Sequence, residues 1–315
     1  ISRVFADLTG EPELLLAWHT LFIVITVAVV AQGVSRGLEK AVRFLLPMMV
    51  VLLLVLVGYA MVRGDFAAGV QFLFTPDFSA LSREAVLTAL GHAFFTLSLG
   101  MGAIMAYGSY MPKGASIAST TFMIAAADTV IALLAGLAIF PIVFAQGLEA
   151  GSGPGLLFQT LPHAFGQMPG GRLFGTLFFV LILFAAWSSS ISLIEPAVAW
   201  LNERFKISRP AAAMLSGGLA WVLGLATVLS FNLWADYRPL RGRTPFEFVD
   251  YLTANLMLPL GGLAIALFVG WRIGSAERRE EMAMLHPLAY GTWLWTLRLI
   301  APLAVLVVFI NALPE

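Results

Sequence analysis

The sequence predicts an all-α polytopic membrane protein, and three observations predict it. Hydrophobic residues make up 60% of the 315 and charged residues only 11%, where soluble domains carry about a quarter charged. Mean hydropathy is +0.90. Apolar runs long enough to cross about 30 Å of hydrocarbon recur along the whole chain. The 18 basic and 18 acidic residues cancel, so nothing points to nucleic acid. The absence of Cys excludes disulfides and thiolate metal sites. The chain opens at Ile1 without Met or a signal-like basic segment, and its N-terminus is expected to be missing.

Taken in order, about eight spans are expected, at roughly 15–32, 45–62, 86–111, 116–144, 173–201, 210–231, 248–271 and 292–311. They form a single transmembrane domain over 1–315. Four loops alternate onto one side and hold ten Lys/Arg: Arg36, Lys40, Arg43, Lys113, Arg204, Lys206, Arg209, Arg272, Arg278 and Arg279. The other side and the N-terminal lead hold seven (Arg3, Arg63, Arg83, Arg172, Arg238, Arg241 and Arg243), and Arg298 falls inside the last span. The positive-inside rule makes the ten-residue side cytoplasmic and places residues 1–14 outside. Two longer outer connections, 63–85 and 145–172, read as lids or as passive tethers.

The third span carries Ser98, Gly100 and Gly102 inside Phe94-Phe95-Thr96-Leu97-Ser98-Leu99-Gly100-Met101-Gly102. Two glycines one residue apart weaken a helix by about 1 kcal/mol each relative to Ala. A helix broken at membrane depth aims free amides and carbonyls at a ligand; the alternative is a close-packing glycine pair. Asp128 lies within the fourth span, where a carboxylate costs about 2.5–3.5 kcal/mol to insert and by default marks an ion path. Ser188-Ser189-Ser190 lies within the fifth. Those hydroxyls either bond back to their own helix or, with Thr96 and Asp128, supply hard oxygens for a small cation. Glu195 reads as a proton site or as a paired carboxylate, and His92 as a gate or a packing residue.

These motifs, with Tyr107-Gly108-Ser109-Tyr110, Gly33-Val34-Ser35-Arg36-Gly37-Leu38-Glu39-Lys40, Phe72-Leu73-Phe74-Thr75-Pro76-Asp77-Phe78 and Phe184-Ala185-Ala186-Trp187, resemble the neurotransmitter:sodium symporter family in its bacterial, LeuT-like branch. The resemblance covers essentially the whole chain. It implies an inverted-repeat bundle of which helices four to eleven are present and the first three absent, with one helix broken near Ser98–Gly102.

It further implies sodium-coupled symport of a neutral, hydrophobic or aromatic amino acid by alternating access in the bacterial inner membrane. Sodium ions are the co-transported ligands, and no cofactor is implied. Substrate positions would be Phe95 (an aromatic lid), Thr96, Ser98, Met101, Ser189 and Leu193. Thr96 and Asp128 would serve a first sodium site. Ala185, through its carbonyl, Ser188 and Ser189 would serve a second. Asp250 resembles the acid of an outer gate, and His92 stands where the family usually has Gln. Two rival classes are an intramembrane hydrolase built from Ser98, His92 and Asp128, which lacks a G-x-S-x-G elbow, and a non-transporting structural or regulatory membrane protein.

Overall fold

With no water to pair with backbone amides and carbonyls, a chain this apolar satisfies them within helices. The structure, a computed structural model, describes residues 2–112, 114–151, 153–239, 242–282 and 286–312, so Lys113 and Arg241 of the charge argument lie outside the described residues. The α-helices are α1 (Ser2–Gly10), α2 (Pro12–Ala31), α3 (Glu39–Arg63), α4 (Phe66–Phe74), α5 (Arg83–Thr96), α6 (Ala103–Ser109), α7 (Ile117–Phe144) and the single turn α8 (Gly153–Gly155). There follow α9 (Leu161–Gln167), α10 (Gly171–Phe205), α11 (Arg209–Leu229), α12 (Pro245–Tyr251), α13 (Leu258–Leu267), α14 (Ser275–Glu281), α15 (Pro287–Trp295) and α16 (Ala301–Ala312). Wider π turns run straight into neighbouring helices, at Val34–Leu38 before α3, Leu252–Met257 between α12 and α13, Phe268–Arg272 after α13 and Thr296–Ile300 between α15 and α16.

Seven helices among the described residues are long and apolar enough to cross a membrane: Pro12–Ala31, Arg36–Arg63, Ile117–Phe144, Gly171–Phe205, Arg209–Leu229, Pro245–Arg272 and Pro287–Ile310. The sequence led us to expect eight. The difference is the stretch 86–111, whose residues fall in α5 and α6, with 14 and 7 residues. Neither reaches the length that spans hydrocarbon. The outer connection 63–85 also differs, because α4 occupies much of it, capped by the Asp65 carboxylate on the Ala68 amide (3.0 Å).

The chain divides into two compact units, one of Ile1–Pro76 with Val130–Pro245 and one of Asp77–Thr129 with Phe246–Glu315. In the first, a core of Leu53, Leu56, Ile142, Leu161, Phe165 and Phe178 joins α3, α7, α9 and α10. Tyr59 stacks on Phe174 at 3.9 Å between centroids, and its hydroxyl donates to the Pro169 carbonyl (3.0 Å). Helices α2 and α11 approach where Gly217 faces Val27 and Gly224 faces His19. A polar clamp closes that seam: Trp221 Nε1 donates to Thr20 Oγ1 (2.9 Å) and His19 Nε2 to the Trp221 carbonyl (3.2 Å). In the second unit α13 packs against α16 and α5.

A Cβ on Gly171 would lie 1.7 Å from the Phe165 carbonyl oxygen, whereas one on Gly58 would meet nothing within 4 Å. Gly171→Ala should therefore destabilise the protein by about 1–3 kcal/mol, while Gly58→Ala should not. Thermal unfolding of the two variants in detergent checks this, and equal midpoints would contradict it.

Candidate functional site

In the second unit, α5 ends at Thr96 and regular helix resumes at Ala103. Leu97, Ser98 and Leu99 turn back through amide bonds to the carbonyls of Ala93, Phe95 and Phe94, at 3.2, 3.0 and 3.0 Å. Ser98 (φ 53), Gly100 (φ 83) and Gly102 (φ 84) all adopt the left-handed region, which Gly enters freely and Ser only under constraint. Among the described residues the amides of Gly100 and Met101 donate no backbone hydrogen bond.

Packing against α13 requires the glycines. A Cβ on Gly100 would lie 2.4 Å from the Leu258 carbonyl oxygen, and one on Gly261 would lie 2.4 Å from the Gly100 carbonyl oxygen. The turn thus rests backbone on backbone against a second helix, and Phe94 fills the notch at Gly262. Beside it, Gly91, Phe94, Phe95, Asn255 and Val305 line a cavity of about 220 Å³.

The residues singled out from the sequence in this unit take the following places. Phe95 is 59% exposed, and Thr96, Ser98 and Met101 are half-buried along the turn. Thr96 Oγ1 donates a long hydrogen bond, 3.4 Å, to the Ala93 carbonyl. Asp128 is half-buried on α7 and has no hydrogen bond or ion pair among the described residues. His92 is exposed and lines an open groove with Glu84 and Thr88. Asp250 is exposed on α12. No hydrogen bond joins Ser98, His92 and Asp128 among the described residues, so the arrangement lacks the contacts a hydrolytic triad uses.

In the first unit, α10 carries a run of hydroxyls. Ser188 Oγ donates to the Ala185 carbonyl (3.0 Å), Ser190 Oγ to the Trp187 carbonyl (2.8 Å) and Ser192 Oγ to the Ser188 carbonyl (3.0 Å). Both sequence alternatives for the serines are therefore compatible: Ser188 and Ser190 back-bond as they stand, and Ser188 holds its oxygen next to the Ala185 oxygen. Such a pair of hard oxygens fits a small cation once the hydroxyl proton turns away. Ser189 and Leu193 are exposed on the same helix.

Glu195 is 0% exposed, and Arg209 Nη2 donates to its Oε2 at 2.5 Å. The Arg209 Nε–H also donates to the Val30 carbonyl at the end of α2 (3.0 Å). The paired-carboxylate alternative is the one observed. Sequence reading missed Thr26, which is 2% exposed and 3.0 Å from Ser190. The available signal was a lone hydroxyl in an otherwise aliphatic run.

The fold and these sites together define a multi-pass helical membrane protein whose spans carry hydroxyls, carbonyls and single carboxylates among their apolar residues. A model of the sodium:neurotransmitter symporter family matches residues 7–315. The chain belongs to that family, whose members are sodium-coupled transporters rather than enzymes. It is 37% identical over 313 residues to an uncharacterized sodium-dependent transporter, YhdH, of Bacillus subtilis, covering 98% of this chain and 69% of that one. An uncharacterized sodium-dependent transporter of Haemophilus influenzae is 31% identical, over 99% of this chain and 69% of that protein. Among solved structures, MhsT in complex with L-phenylalanine superposes with a TM-score of 0.88 at 40% identity, over 98% of this chain and 70% of that one.

Removing one member of a buried ion pair leaves the other unpaired, at about 3–5 kcal/mol. Glu195→Ala should lower stability by about that amount. A Glu195→Met, Arg209→Met double variant should regain much of the loss, and a thermal-unfolding double-mutant cycle reads the coupling.

Proposed function

We propose that the protein couples sodium flow to uptake of a neutral, hydrophobic or aromatic amino acid by alternating access in the bacterial inner membrane. The observation that carries this reading is the turn at Ser98–Gly102, where amides and a serine hydroxyl lie free of the helical ladder between α5 and α6. On this reading α5 and α6 are the halves of one spanning segment, and their ends face the substrate's polar groups.

Phe95, Thr96, Ser98 and Met101 of the second unit act in substrate binding, as do Ser189 and Leu193 of the first. None of these positions is charged, and an unpaired charge on a substrate side chain would be costly among them. Met101 is unbranched and adapts to large side chains. The similarity to MhsT, whose structure holds L-phenylalanine, supports an aromatic-tolerant pocket. Uptake in proteoliposomes of the full-length protein should favour Leu, Phe or Trp over Lys or Glu at least tenfold. A preference for Lys or Glu would overturn the assignment.

Thr96 and Asp128 serve the first sodium site; Ala185, Ser188 and Ser189 serve the second; Asp250 and His92 gate the outer approach. A carboxylate at about 4 Å from a cation, at an effective dielectric near 20, is worth roughly 4 kcal/mol. That is enough for Asp128 to replace a chloride counter-charge. One turn on, Ala132 offers neither hydroxyl nor carboxylate. Replacing chloride by gluconate should leave sodium-driven uptake unchanged, and Asp128→Asn should weaken sodium dependence; a large drop in gluconate would refute the first statement.

Release to the cytoplasm runs past the start of α3. The π turn at Val34–Leu38 contains Gly37, and Pro47 sits inside α3, so that a glycine weakens the start of the segment and Pro47 leaves the Arg43 carbonyl without its helical donor. Pro47→Ala should slow sodium release, read as reduced turnover together with slower hydrogen exchange over 37–47; unchanged exchange and transport would argue for an ordinary helix start.

A further inference from the structure

We propose that Thr26, on α2, is a positioning residue for the second sodium site: it fixes the roll of α10 from the side opposite the ion. The inference rests on the reading of Ala185, Ser188 and Ser189 as sodium ligands, and adds a residue from a helix that carries none of them.

Thr26 is 2% exposed. Its Oγ1 lies 2.8 Å from the Phe22 carbonyl of its own helix and 3.0 Å from Ser190 Oγ, which in turn lies 2.8 Å from the Trp187 carbonyl. Each hydroxyl has one proton to give and lone pairs to receive, so two protons serve these three contacts. If Thr26 donates to Phe22, Ser190 donates to Thr26. If Thr26 donates to Ser190, Ser190 donates to Trp187. In both arrangements the bond across the two helices is kept; a third, with each hydroxyl donating to its own helix, would set two oxygen lone pairs against each other at 3.0 Å and is disfavoured.

The geometry gives this bond leverage on the ion ligands. At 100° per residue, Ser190 points about 150° away from the mean direction of Ser188 and Ser189. Thr26 therefore holds the back of α10 while the ligands occupy its front. Apolar neighbours such as Ile191 and Val198, both 0% exposed, pack α10 through contacts with little directionality of their own, and the Glu195–Arg209 pair anchors it further along; Thr26 adds a directional bond within one turn of Ser188 and Ser189. A hydrogen bond in a low-dielectric interior is directional and strong. It fixes the angle at which the Ser188 hydroxyl and the Ala185 carbonyl, 3.0 Å apart, present themselves together. Losing it lets α10 roll, and sodium then has to restore the alignment when it binds.

The test uses the full-length transporter in proteoliposomes. Thr26→Val keeps the shape and removes the hydroxyl; Thr26→Ser keeps the hydroxyl. Thr26→Val should raise the sodium concentration for half-maximal uptake about fivefold, the scale of one lost hydrogen bond. The amino-acid KM at saturating sodium should stay within about twofold. Thr26→Ser should restore wild-type sodium dependence, a rescue that a loss of packing would not show. Ser190→Ala removes the other hydroxyl without touching α2 and should repeat the effect, without adding to it in the double variant, so the test stands even where Thr26→Val folds poorly. Unchanged sodium dependence in both single variants overturns the inference, as does Thr26→Ser impaired as much as Thr26→Val. Ser188→Ala separates the two levels: if it leaves sodium dependence intact, the ligand reading fails and the inference falls with it. If it abolishes sodium dependence while Thr26→Val does nothing, only the inference falls.

Discussion

Every backbone carbonyl and amide at membrane depth has to find its partner inside the protein. At several places where the helical ladder ends or widens, a polar side chain arrives. Arg278 Nη1 gathers the carbonyls of Val269, Gly270 and Ile273 where α13 unwinds through its π turn. Arg298 adds a second bond to Gly270 (2.7 Å) and lies over the Trp271 ring. Arg209 takes the Val30 carbonyl at the end of α2, Asn232 the Thr9 carbonyl and Tyr59 the Pro169 carbonyl. The turn at Ser98–Gly102 stands apart from this pattern, since among the described residues no side chain closes the amides of Gly100 and Met101. That contrast is the physical basis for reading the turn as a place reserved for a ligand.

How much of this was legible in the sequence depended on whether the signal was local. Hydropathy located seven of the expected spans, because burial in lipid writes itself into every residue of a run. The stretch 86–111 has the composition of a span, but regular helix stops at Thr96 and resumes at Ala103, so neither piece is long enough to count as a span by itself. The short α4 was missed because its apolar run, flanked by Gly64, Pro76 and charged residues, looked like loop. Pairings between distant residues were out of reach. Nothing near Glu195 says that its counter-ion is Arg209, and nothing in α2 says that Thr26 meets Ser190. Such contacts depend on how helices cross, which one sequence does not encode position by position. The same holds for Gly100 and Gly261, each legible as a helix breaker but not as the other's neighbour.

The proposed ion sites differ in how they are prepared. At Ser188 the hydroxyl bonds the very carbonyl that would join it on the ion. Binding there exchanges a neutral hydrogen bond for two ion contacts, without unfolding anything. Asp128 instead has no protein partner recorded among the described residues, and a carboxylate in that position gains more from a cation than any hydroxyl does. The family's dependence on sodium is consistent with one site tuned by geometry and one by charge. Asp128 lies on the long helix α7 and the Ala185, Ser188 and Ser189 set on the long helix α10, while Thr96 ends α5; α10 is held by tight packing at Gly171 and by the Glu195–Arg209 pair.

The π turns have a consequence for register. Each holds one residue more than the α-helical turn it replaces, so all that follows is rotated by about 100° relative to an uninterrupted helix. Across Leu252–Met257, the face of α12 that bears Asp250 and the face of α13 that bears Gly261 are therefore not aligned as a 3.6-residue count would align them. Deleting one residue inside that turn would leave both helices intact and their hydrophobicity unchanged. It would nevertheless swing Asp250 to another compass bearing while Gly261 stayed seated on Gly100. Asp250 and the glycine notch are thus phased by a single inserted residue, and the bearing of the carboxylate is set independently of the packing at Gly261.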